Sequence, residues 1–218
     1  MIAIENARVA IQNVEVLRGF TLRLRPGTMV GLIGRNGAGK TTVMRTVMGH
    51  LPLLGGRLLV SGTELARAPA HQRAALGIGY MPEDRGLVPE LTVEENICLP
   101  LWVSPRLNVR DRLAFVYGIL PELLEMRERK ALLLSGGQQK LVALARALAV
   151  GTSVLLLDEP FEGVAPALSQ RLSEVVGQLR GSGLSVLISQ SDLNHSRHLL
   201  DEEVVIERGA NVSAGAPA

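Results

Sequence analysis

Three short stretches of this chain carry residue types that could do chemistry on a phosphate. The first, Gly34-Arg35-Asn36-Gly37-Ala38-Gly39-Lys40-Thr41, fits the spacing G-x-x-x-x-G-K-[ST] of a phosphate-binding loop. Small residues there let backbone N–H groups turn toward one anion, and a helix leaving the loop adds its positive dipole end. Lys40 would reach the β- and γ-phosphates as a point charge, and the Thr41 hydroxyl would ligate Mg²⁺. Thr42 is counted in the same phosphate-binding set. The second stretch, Val154-Leu155-Leu156-Leu157-Asp158-Glu159, is an apolar run ending in two acids. Asp158, at the end of a buried strand, can hold Mg²⁺, and Glu159 can polarise a water for attack on a γ-phosphate. The third, Leu134-Ser135-Gly136-Gly137-Gln138-Gln139, opens a helix with a hydroxyl donor and free N–H groups, a second anion site. One nucleotide does not need two phosphate sites in one chain. The helix end at Ser135, Gly136 and Gly137 is therefore expected to meet the nucleotide of another subunit.

These groups need elements to hold them. An apolar strand at 29–33 runs into the phosphate loop and a helix-compatible run at 41–48 leaves it. Strands are expected at 3–9 and 21–24, the second before the Pro26-Gly27 turn, then at 57–60 after Gly55-Gly56 and at 77–81. Residues 93–130 read as helical pieces broken by Pro100, Pro105 and Pro121, an inserted helical lobe. A helix at 138–150, a buried strand at 153–157, a helix at 168–180 and strands at 185–189 and 203–207 follow. The tail 210–218 is expected to fray. Strands alternating with helices predict a mainly parallel α/β core.

The 218 residues suffice for one large domain or one domain with an inserted lobe. The chain is 47% hydrophobic but holds only three Phe, two Tyr and one Trp, so the core must be built from Leu, Val, Ile and Ala. Lys and Arg exceed Asp and Glu by two, with the signs mixed, which gives no reason to propose nucleic acid as a partner. The single Cys98 cannot form an internal disulfide and sits among apolar residues, as expected of a core residue in a reducing compartment. No charge-free run approaches the about 20 residues of a spanning helix. The N-terminus lacks the basic and apolar regions of a secretory signal, so a cytosolic chain is expected. His195 and His198 lack metal spacing backed by cysteines and read as a solvated helix face, as does Arg127-Glu128-Arg129-Lys130. Trp102 either packs internally or faces a docking groove.

Together the glycine loop, the Ser-Gly-Gly stretch and the Asp-Glu strand, in that order, resemble the nucleotide-binding subunit of ATP-binding-cassette transporters. The resemblance covers residues 1–208. It implies a P-loop NTPase core with a mainly parallel sheet, an antiparallel β-subdomain and an inserted helical signature lobe. The domain would have a core at 1–82 and 151–208, a lobe at about 83–150 and a tail at 209–218. It also implies ATP and Mg²⁺, a head-to-tail pair of ATPase subunits, and two transmembrane permease subunits. The place of such a chain is peripheral, on the cytoplasmic face of the inner membrane. By the same resemblance Gln190 stands in the switch position and Glu83 at the Mg²⁺-contacting position where most relatives carry His and Gln. Lys40, Glu159 and Gln190 become the catalytic set, and Thr41, Asp158 and Glu83 the metal set.

The stretch 82–96 (PEDRGLVPELTVEEN), Val116-Tyr117 with Pro121-Glu122-Leu123, and Gly163-Val164-Ala165-Pro166 resemble the F-type ATPase subunit of branched-chain amino acid importers. That subfamily also stops soon after the core, and Glu83 and Gln190 occur in it. It implies a G-type partner ATPase and, indirectly, an extracytoplasmic solute-binding protein. Two departures stand out. Ile11 takes the place of the adenine-stacking aromatic, and Phe161-Glu162 follows the Glu-Pro pair where Ser or Thr is usual, which bears on communication between two sites. The alternative is a soluble cassette ATPase of DNA repair or the ribosome, which would carry a coiled-coil insert or duplicated cassette. A phosphate-loop kinase leaves Ser135-Gly136-Gly137 unexplained.

Overall fold

The computed structural model describes residues 1–66, 68–192 and 197–212. His195 and the last six residues of the tail lie outside them. Two sheets divide the strands. The first is antiparallel, in the order β2-β1-β4-β5, from β1 (Ile2–Ile11), β2 (Val14–Leu24), β4 (Gly55–Val60) and β5 (Thr63–Glu64). β1 and β2 run longer than their apolar stretches suggest because a two-residue turn joins them. Gln12 and Asn13 both take positive φ, 48° and 66°, the mirror-image turn that matches strand twist. Gln-Asn is a weak signal for that turn, so the sequence hides the hairpin.

The second sheet has the order β10-β9-β3-β8-β7-β6. β3 (Met29–Ile33), β6 (Ile78–Met81), β7 (Val154–Asp158), β8 (Ser185–Gln190) and β9 (Glu202–Glu207) are parallel, and β10 (Ala210–Asn211) pairs antiparallel with β9. Both faces of its inner strands are covered, so β3, β7 and β8 are largely apolar runs, whereas the outlying β9 (EEVVIE) is mostly exposed. Alternate residues still part company: Leu155 and Leu157 of β7 enter one core cluster, Val154 and Leu156 the other. The first cluster holds α5 (Gly136–Val150) and α6 (Pro166–Gln178). The second holds α1 (Lys40–Val47) and the antiparallel sheet. Cys98 is buried in the first.

Between β6 and β7 lie α3 (Val93–Trp102), α4 (Val109–Ile119), a 3₁₀ turn (Pro121–Met126) and α5. Two expectations need correction, and one open alternative is decided. Pro100 does not break its helix: α3 runs through it to Trp102, in a last turn where Ser104 Oγ donates to the Pro100 carbonyl and burial of Ile97, Cys98 and Leu101 outweighs the lost N–H. Residues 210–211 are not frayed. Asn211 Oδ1 accepts from Thr21 N at 2.7 Å and its Nδ2 donates to Thr21 O at 2.8 Å, so one amide stitches the two sheets together. Trp102 does not pack internally; it is 58% exposed. A short helix, α2 (His71–Ala75), has no counterpart among the elements expected from the sequence.

Candidate active site

Parallel strands end at one edge of their sheet, and the register decides which residues meet there. β3 ends at Ile33 opposite Gln190 of β8, and Asp158 of β7 lies opposite Ser189. The glycine loop, the acidic pair and Gln190 therefore converge without any long loop. Gly34 N donates to the Gln190 carbonyl at 3.1 Å, tying the start of the loop to β8. A Cβ on Gly34 would lie 2.4 Å from the Ile206 carbonyl, so only glycine lets the loop pass β9. Gly39, with φ 111°, caps α1 with no side chain at all. No side chain caps the first N–H groups of α1, which leaves them open to an anion.

Lys40 is 4% exposed, and its Nζ donates to Gly34 O (2.6 Å) and Arg35 O (3.1 Å) and pairs with Glu159 Oε1 (2.9 Å). Ser191 Oγ lies within hydrogen-bond distance of both Glu159 oxygens, at 3.1 Å, and of Asn36 Oδ1, at 2.7 Å, so its single O–H can serve either partner. Glu159 follows β7 with φ 50°, a left-handed conformation uncommon outside glycine. Burial pushes its carboxyl up, yet hydrogen bonds from Glu162 and Lys40 and the Lys40 charge outweigh it and hold Glu159 below the usual carboxylate range. Glu162 moves the other way, raised by its hydrogen bond to Glu159 and by burial. Asp158 is fully buried. Burial raises its pKa against hydrogen bonds from Ser189 (2.5 Å) and Thr41.

A cavity of about 380 Å³ is lined by Asn36, Lys40, Thr41, Thr42, Glu83 and Glu159. A second, of about 310 Å³, is lined by Glu159, Phe161, Glu162, Gln190 and Ser191, so Glu159 stands between the two. Thr41 bonds Asp158 and shares the first cavity with Glu83. Among the described residues no cluster of three His, Cys, Asp or Glu could cage a metal. A hydroxyl and two carboxylates form the incomplete donor set that suits Mg²⁺, which keeps waters and phosphate oxygens in its shell. The donors fit the ion.

Ser135, Gly136 and Gly137 are not among the residues lining either cavity. Ser135 caps α5: its Oγ accepts from Gln138 N (3.3 Å) and Gln138 Oε1 accepts from Ser135 N (3.0 Å). Ser135 and Gly136 are exposed. Sequence reasoning missed Ser189, Ser191, Tyr80, whose hydroxyl lies 3.4 Å from Asp158, and Lys140, whose Nζ reaches the turn after Glu159. Only Ser189 left a trace, a hydroxyl closing an otherwise apolar run.

Residues 17–162 match the family model described as ABC transporter. An uncharacterized ABC transporter ATP-binding protein of Rhizobium meliloti is 36% identical over 92% of this chain and 75% of its own length. The lipopolysaccharide export system ATP-binding protein LptB of Escherichia coli is 31% identical, over 98% of this chain and 89% of LptB. The high-affinity branched-chain amino acid transport ATP-binding protein BraG of Pseudomonas aeruginosa is 32% identical, over 96% and 90%. A crystal structure of a nucleotide-free ATP-binding cassette from an ABC transporter superposes with a TM-score of 0.84 at 26% identity, covering 100% of this chain and 92% of that one.

Proposed function

We propose, proceeding from the fact that this chain belongs to the ABC transporter family, that it powers a bacterial importer of branched-chain amino acids or related small polar solutes. The chain is an ATPase subunit of that family, whose cassettes work as dimers with transmembrane permease partners. The importer reading rests on the likeness to BraG. It includes a second, G-type ATPase subunit, an extracytoplasmic solute-binding protein reached only indirectly, and a peripheral position on the cytoplasmic face of the membrane. LptB, at similar identity and coverage, favours a second reading, an exporter of lipopolysaccharide type. Among the described residues no helix is long and apolar enough to cross a membrane. A groove of about 570 Å³ lined by Arg45, Tyr80, Glu83, Asp84, Pro100 and Arg146 opens beside the site and offers a permease a seat in contact with Glu83.

The observation that carries the chemistry is the meeting of Lys40, Thr41, Asp158 and Glu159 at one sheet edge, with Ser135 to Gly137 outside it. The amides of 34–41, Lys40 and Thr42 bind the phosphates. Thr41, Asp158 and Glu83 would hold Mg²⁺, which when bound neutralises phosphate charge. Lys40 is paired with a carboxylate, so an incoming phosphate competes with Glu159 for it and sets Glu159 free. Glu159, kept ionised, accepts the proton of the attacking water as its oxygen bonds to the γ-phosphorus and the bond to the leaving oxygen breaks. Gln190 orients that water and cannot titrate near neutrality. Ser135, Gly136 and Gly137 complete the site of the opposite subunit. The test is Glu159→Gln: ATP binding at parental affinity with turnover reduced about 10²–10⁴-fold supports the assignment, and near-parental turnover sinks it. Solute class is tested by reconstitution with the neighbouring permease genes, where amino acid uptake and lipid extraction separate the two readings.

A further inference from the structure

The turn that carries Glu159 is held from outside the site by a side chain of α5. Lys140 is 4% exposed, and its Nζ donates to the backbone carbonyls of Glu159 at 3.0 Å and Glu162 at 2.6 Å. An ammonium has three donors and no acceptor, so one buried group closes the turn by gripping both of its ends. Inside that turn Glu159 has φ 50°. A non-glycine residue keeps such a conformation only where its surroundings over-determine it. In this conformation the Glu159 carboxylate meets Lys40 and Ser191.

Lys140 stands on the helix whose N-terminus is Ser135. The two are five positions apart on an unbroken capped helix, about 7.5 Å along its axis. The helix end expected to touch a partner's nucleotide is thus joined rigidly to the backbone of this chain's own hydrolytic glutamate.

We propose that Lys140 is a positioning residue for hydrolysis: it fixes the left-handed turn that presents Glu159, and it links that turn to the Ser135 end of α5. The inference rests on the role assigned to Glu159 above. It answers the departure at Phe161 and Glu162, because contact between the two sites then runs through main-chain carbonyls and does not depend on which side chains follow the Glu-Pro pair.

The experiment compares full-length Lys140→Met, Lys140→Arg and Glu159→Gln with the parent. Single-turnover hydrolysis of Mg-ATP is read beside equilibrium binding of a fluorescent ATP analogue. Lys140→Met keeps the side chain's length and removes its donors. It is expected to slow hydrolysis about 10–100-fold, the scale of a small misplacement of a reacting group, at unchanged nucleotide affinity. Lys140→Arg, which keeps a cationic donor, is expected to recover most of the rate. Parental hydrolysis in Lys140→Met overturns the proposal. So does a parallel loss of rate and affinity that Lys140→Arg fails to restore, since that describes a merely structural lysine. If Lys140→Met does not fold, Lys140→Gln keeps an amide N–H donor on a shorter, uncharged side chain. A reduced rate at parental affinity then supports the proposal and a parental rate overturns it. Glu159→Gln separates the two levels: turnover surviving in it refutes the catalytic assignment, whereas its loss beside fully active Lys140 variants refutes only the positioning role.

Discussion

Lys40 and Ser135 are both proposed to meet a phosphate, yet the protein treats them in opposite ways. Lys40 is buried and holds two carbonyls and a carboxylate, inside a loop pinned to β8 through Gln190 and to the turn after β9 through Gly209. Ser135 is exposed and bonds nothing beyond its own first turn among the contacts described for it. One region is complete within the chain. The other lines neither cavity of the site. The difference argues that the phosphate loop contributes stability and affinity, while the Ser135 end contributes turnover once a second polypeptide covers it.

The largest effects should fall on turnover. Ser135→Arg places bulk and charge at the exposed helix end and is expected to lower ATPase activity about 10²–10³-fold, as loss of a donor to a reacting phosphate would. ATP affinity of the isolated chain should stay at the parental value. A fall in affinity equal to the fall in turnover would erase the distinction between the regions. Next comes stability. Lys40→Met strands the Glu159 carboxylate in a buried site, a change that costs about 3–5 kcal/mol when one partner of a buried pair is removed. Urea unfolding without nucleotide measures it, and Lys40→Met combined with Glu159→Gln should recover part of the loss. Ser135→Ala should cost only about 1 kcal/mol in the same assay, the value of one helix cap. Equal costs for Lys40→Met and Ser135→Ala would break the comparison.

The regions also differ in how they can be read from sequence. The phosphate loop with its strand and helix is contiguous, and a local motif states its own geometry: β3 falls at 29–33 as expected and α1 within a residue of its expected start. The apolar run ending in Asp158 announces a strand covered on both faces. What stayed hidden crosses the chain. Lys140 looks like one more charge on an amphipathic helix until β7 is placed beside α5. Ser191 is an ordinary hydroxyl until parallel pairing sets β8 next to β7. Asn211 sits in a stretch with no apolar pattern, yet its amide finds Thr21 at the far end of the sequence. Pro100 misled for the opposite reason, a strong local breaker overruled by the packing of α3.

The smallest effect tests whether the two regions are stiffly joined. α6, which follows the Glu159 turn, is tied to the 3₁₀ turn of the helical segment by Arg171, whose Nε and Nη2 reach the two oxygens of Glu122 at 2.8 and 3.0 Å. Burial pushes the Glu122 carboxyl up, but the hydrogen bonds from Arg171 outweigh it and leave it below its usual value. A depressed carboxylate stabilises the fold above its unfolded pKa of about 4.3 and loses that contribution as pH falls through the lower folded value. Both side chains remain about a third open to water, so the pair should contribute no more than about 0.2–1 kcal/mol. Arg171→Met is therefore expected to lower stability slightly at pH 7 and to converge on the parent once the pH has fallen through the folded-state pKa of Glu122. Its ATPase rate decides the larger question. An unchanged rate leaves the coupling to α5 and Lys140. A fall in rate well beyond the small stability cost would mean that the helical segment steers Glu159 through α6 as well, and that the Ser135 region is less separate from the phosphate loop than their contacts imply.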